Sequence, residues 1–102
     1  MTKVSQIRGD VDLASQRWDP RAPGATEKLV RKLEGLRNRG SVVQSFVDLM
    51  YDMSGEAMDT HSLIAGRDQD DIDDGFEAVL SFLRSLGKPG IDLARSLRLK
   101  NG

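Results

Sequence analysis

The sequence predicts an all-α protein, a small bundle of four to five helices, with dimerisation as a means of completing its core. Three observations carry this expectation. Apolar residues recur at intervals of three and four along most of the chain, and Gly40, Gly66 and Gly87 close stretches of that spacing. The 102 residues, 38% of them hydrophobic, suffice for one core without a metal or a disulfide.

Residues 1–25 read as an N-terminal arm. Val4, Ile7, Val11, Ala14 and Trp18 fall on one helical face, but the stripe is narrow and Gly9 costs roughly 1 kcal/mol against alanine in a helix interior. Such a helix needs something to pack against, either its own body or another chain. Asp19 to Ala25, DPRAPGA, reads as a hinge because two prolines and a glycine interrupt the helical spacing.

Residues 26–100 read as the helical body. Thr26 to Arg39 places Leu29, Leu33 and Leu36 on one face, with Val30 widening it and Gly40 at the end. Ser41 and Gln44 have the spacing of a capping box, so a second helix is expected to start at Ser41. It carries Val42, Val43, Phe46, Val47, Met50 and Met53, and either continues through Ala57 and His61 to Ile64 or splits at Ser54 and Gly55. From Asp68, a candidate cap, to Leu86, the residues Ile72, Phe76, Val79, Leu83 and Leu86 alternate intervals of four and three, a heptad-like seam that Leu80 and Phe82 widen into a face for packing within a bundle or at a dimer interface. Gly87 ends this helix. After Pro89 and Gly90, IDLARSLRL supplies a short closing helix, with Lys88 disfavoured as a helical residue because it precedes proline.

A net charge of −1 conceals a separation along the chain. Residues 21–40 hold six cations and two carboxylates, 48–77 hold ten carboxylates and Arg67 alone, and 84–100 hold five cations and Asp92 alone. The order is basic, acidic, basic. Such blocks either pair within one fold or steer a complementary partner.

Several chemistries are excluded or disfavoured by composition. With no cysteine there is no disulfide framework, thiolate zinc site, cysteine nucleophile or cysteine-ligated cluster. The single histidine, His61, has Glu56 and Asp59 nearby but no serine and acid constellation around it, and no nucleotide-binding glycine fingerprint follows a strand. Asp68, Asp70, Asp71, Asp73 and Asp74 invite a calcium reading. With Gly75 at position six of an EF-hand loop, however, Ile72 falls at position three and Ser81 at position twelve, so two ligand positions fail. The expectation is a protein without catalytic residues, metal or cofactor. The opening MTKVSQIRGD lacks the apolar core of a signal peptide and no run of 18 apolar residues occurs, so the expected location is the cytoplasm, without a membrane.

What remains is binding. The expected role is that of a regulatory or adaptor protein acting on another protein, on itself as a homodimer, or both. The candidate contacts are Trp18, an aromatic anchor beside the hinge, and the acidic set Asp70, Asp71, Asp73, Asp74 and Glu77. Met50, Met53 and Met58 beside Phe46 and Tyr51 read first as core, with an adaptable contact patch as the alternative. The competing functional reading is nucleic-acid binding. Arg31, Lys32, Arg37 and Arg39 form one basic group and Arg95, Arg98 and Lys100 another, and FLRSLGKPGIDLARSLRL has a helix, tight turn and helix outline. That reading requires the fold to bring the two groups to one face and to turn the central acids away.

Overall fold

A computed structural model describes residues 6–19, 21–55 and 63–101. Among these residues it forms five helices: α1 (Gln6–Ser15), α2 (Ala25–Leu33), α3 (Arg39–Met53), α4 (Gln69–Arg84) and α5 (Lys88–Asn101). The radius of gyration, 12.9 Å, equals the roughly 13 Å expected of a compact chain of about 100 residues. The architecture is a compact five-helix all-α bundle.

Helix α4 is its centre. Ile72, Phe76, Val79, Leu80 and Leu83 are buried, and the helix packs against α1, α3 and α5, while α2 lies on α3 and α5. The heptad-like seam is therefore covered within the chain. Helix α1 docks in cis: Ile7, Val11 and Ala14 are fully buried or nearly so against α3 and α4. Its close approach depends on Gly75, where a Cβ would overlap Ile7 Cγ2.

The element boundaries differ from the sequence expectation for identifiable reasons. Helix α2 stops at Leu33, so Leu36 and Arg37 fall in the connection to α3. The cap of α3 is Asn38, three residues before the expected one: its backbone is extended (φ −136°, ψ 125°) and its Oδ1 accepts from the Ser41 N–H at 3.1 Å. Gln44 is then free for other partners, donating to Asp48 at 3.0 Å and accepting from the Leu63 N–H at 2.7 Å. Helix α3 ends at Met53, before Ser54 and Gly55; the continuation through Ala57 and His61 lies outside the described residues, as do Val4 and Met58.

Asp68 occupies the cap position of α4 without a side-chain capping hydrogen bond. Gly87, at φ +91°, ends the connection from α4, and α5 starts at Lys88, with Pro89 in the first turn, where a missing N–H is harmless.

Candidate binding surface

The charge blocks separate by pairing. Arg39, at the start of α3, reaches α4: its Nη1 donates to Asp73 Oδ1 at 2.8 Å and its guanidinium carbon lies 5.3 Å from the Phe76 ring centroid. Its Nε donates to the Asn101 carbonyl at 2.8 Å, joining α3 to the end of α5. Arg98 on α5 bonds both carboxylate oxygens of Glu77 on α4. Arg67 lies 3.7 Å from Asp71. All three pairs are partly solvated, so each orients side chains more than it stabilises the fold.

Two ionisable groups register these surroundings. Hydrogen bonds from Gln69 and Arg39 hold the Asp73 carboxyl below the usual carboxylate value. Asp10 on α1 is pushed above it, first by burial and then by Asp71, against the opposing pull of Arg67.

The acidic set therefore does not form one surface. Asp71 lies beside Arg67, Asp73 and Glu77 meet Arg39 and Arg98, and Asp70 and Asp74 remain exposed on α4. Among the described residues, no group of three or more His, Cys, Asp or Glu side chains is placed to hold a metal ion.

Trp18 is seated inside the chain. Its ring meets Phe82 edge-on, centroids 5.7 Å apart at 81°, and Phe82 meets Phe46 in the same manner at 5.3 Å. This aromatic row ties the segment after α1 to α4 and α3, and Arg17 stacks over Tyr51 at 4.3 Å beside it. Trp18 Nε1 is buried without a hydrogen-bond partner.

Members of the two basic groups, Arg37 and Arg39 from one and Lys100 from the other, meet at one end of the bundle. Lys100 Nζ donates to the Glu34 carbonyl just past α2, and Asn101 Nδ2 donates to the Leu36 carbonyl at 3.1 Å and to the Leu97 carbonyl at 2.9 Å. These bonds hold the connection between α2 and α3 against the last turn of α5, and they satisfy carbonyls that a helix end leaves open. The contacts to Glu34 and Leu36 span more than sixty residues of sequence, which is why spacing alone did not reveal them.

Between this corner and the first turn of α4 runs an open groove of about 450 Å³. Gly40, Ile64 and Ile72 supply its deeper wall, Arg37, Arg39 and Lys100 its cations, and Asn38, Gln69 and Asn101 its neutral polar groups. Among the described residues, no carboxylate lines it. Leu99, 82% exposed, stands at its rim, the most exposed of the large apolar side chains among the described residues. The sequence reading missed Leu99, Ile64 and Asn101 here; the one available signal was that Leu99 falls out of step with the Ala94 and Leu97 face of α5.

No family model, curated protein or solved structure matches the chain. Among the described residues, no helix is long and apolar enough to cross a membrane.

Proposed function

We propose that this chain is a small non-enzymatic regulatory or adaptor protein of the cytoplasm that works by binding protein, a second copy of itself included. The observation that carries this reading is the groove between α5 and α4, which combines cations, neutral hydrogen-bonding groups and an apolar wall beside the exposed Leu99. A contact surface of that composition anchors an apolar side chain in its centre and orients the partner by charge at its edge.

The competing reading, nucleic-acid binding, draws support from one feature: Arg37, Arg39 and Lys100, drawn from both basic groups, line one groove. Two features weigh against it. Arg39 and Arg98 are engaged by Asp73 and Glu77, and the outward face of α5 presents Ile91, Asp92 and Leu99 beside Arg95, a poor surface for phosphate.

The test is a photo-crosslinking side chain placed at Leu99, with Asp52, exposed near the end of α3, as the control position. Protein adducts that form from residue 99 and not from residue 52 support the proposal. Adducts removed by nuclease, or an identical pattern from both positions, overturn it.

A further inference from the structure

The chemistry of the partner is still open, and the inference drawn now rests on the reading that this groove binds protein. The groove has a sign of its own. Its lining brings together Arg37, Arg39 and Lys100 with no carboxylate among the described residues, whereas the chain as a whole carries a net charge of −1. The positive excess is local.

The three cations differ in what they touch. Arg39 is held by Asp73 and by the Asn101 carbonyl, both at 2.8 Å, so it belongs to the wall and fixes α3, α4 and α5 around the groove. Arg37 and Lys100 are exposed, and neither is paired with a carboxylate among the described residues. Lys100 is oriented by the Glu34 carbonyl, which leaves its charge unneutralised. Two such cations on a rim already held by hydrogen bonds attract an anionic segment and orient it with little ordering of the groove itself.

Charge alone suits any polyanion; the apolar groups decide between them. Ile64 and Ile72 line the groove and Leu99 stands 82% exposed at its rim. A phosphate backbone gains nothing from these side chains, and among the described residues no aromatic ring lines the groove for a base to stack on. A peptide supplies both complements, carboxylates for Arg37 and Lys100 and an apolar side chain to cover Leu99. The groove volume of about 450 Å³ lies within the roughly 300–1,000 Å³ typical of ligand sites, room for a short segment of a partner.

We propose that the groove between α5 and α4 binds a short acidic segment of a partner protein, with its carboxylates on Arg37 and Lys100 and an apolar side chain against Leu99.

The test is selection of short random peptides from a display library on the immobilised full chain, followed by fluorescence anisotropy of the recovered peptides with the chain in solution. The recovered peptides are expected to be rich in aspartate and glutamate beside an apolar residue, and to bind more weakly as salt rises. R37E/K100E is expected to weaken them by about tenfold or more, whereas R31E/K32E, which changes net charge equally but on α2 outside the groove lining, leaves binding within about twofold. Arg37 makes no hydrogen bond or ion pair among the described residues, so R37E alone carries the same test where loss of the Lys100 contact loosens the fold. L99S, which alters no charge, weakens binding while leaving its salt dependence in place. Neutral or basic peptides that are lost with L99S overturn the acidic partner and leave the groove a protein-binding surface. Acidic peptides that bind R37E/K100E and R31E/K32E alike overturn the site. Recovery of no peptide dependent on Arg37, Leu99 or Lys100 overturns the inference, while the crosslinks from residue 99 decide the wider reading independently. A single-stranded oligonucleotide that displaces the labelled peptide at lower concentration than the unlabelled peptide does overturns the choice of protein over nucleic acid.

Discussion

Gly90 of α5 lies against the Leu83 carbonyl of α4, so close that a Cβ at residue 90 would overlap that oxygen and crowd Leu86 Cβ at 3.0 Å. The obstacle is backbone, which cannot rotate aside as a side chain can. G90A therefore must push α5 away from α4 or unwind its first turn, and is expected to destabilise the fold by ~3 kcal/mol, through steric overpacking. Urea denaturation measures this directly. A G90A protein within ~0.5 kcal/mol of the parent would mean that the two helices are not this close.

Glycines on the two sides of the α1–α4 contact should respond with opposite signs. Gly9 sits inside α1 with nothing within 4 Å of where its Cβ would be, so G9A gains helix propensity and is expected to stabilise by about 0.5–1 kcal/mol. Gly75 faces Ile7, whose Cγ2 belongs to a β-branched side chain with little rotamer freedom. G75A is expected to destabilise by about 1–3 kcal/mol. Thermal melts of both variants followed through Trp18, the single tryptophan, read the docking of α1 on the bundle.

At the start of α3 the cap can be located by substitution. N38A removes the oxygen that accepts from Ser41 N–H and is expected to cost about 1 kcal/mol, whereas S41A, at an exposed position inside the helix, is expected to stay within ~0.5 kcal/mol of the parent. The reverse order would restore Ser41 as the cap.

That displacement shows where sequence reading succeeds and where it stops. The helices themselves were legible, because periodic apolar residues such as Ile7, Val11 and Ala14, or Ile72, Phe76, Val79 and Leu83, express burial that the bundle then supplies. Caps were less legible: Asn38 and Ser41 are both competent, and the choice depends on α2 stopping at Leu33. The corner where the end of α5 meets the connection between α2 and α3 was not legible. Arg39 finds Asp73 and Lys100 finds Glu34 across long stretches of chain, so the charge blocks looked like separate faces until the fold joined them. The intimacy at Gly75 and Gly90 was equally hidden, since a glycine that admits a neighbouring helix has the same sequence signature as one that merely weakens its own.

Two aspartates should link stability to pH with opposite signs. Asp73 has its folded pKa lowered from 3.8 by the hydrogen bonds from Gln69 and Arg39, so its contribution is present above 3.8 and is lost as pH falls through the lowered value. D73N is accordingly expected to be less stable than the parent at neutral pH, with the difference vanishing in strong acid. Asp10 has its folded pKa raised from 3.8, chiefly by burial, so ionising it opposes folding: its contribution is fully present below 3.8 and is lost as pH rises through the raised value. D10N is expected to match the parent in acid and to exceed it at neutral pH. Urea midpoints collected from pH 2 to pH 7 for the parent and both variants test the pair together, within about the range where carboxylates titrate. Two difference curves of the same sign would contradict the arrangement that places Asp10 in a partly desolvated site and Asp73 between two donors.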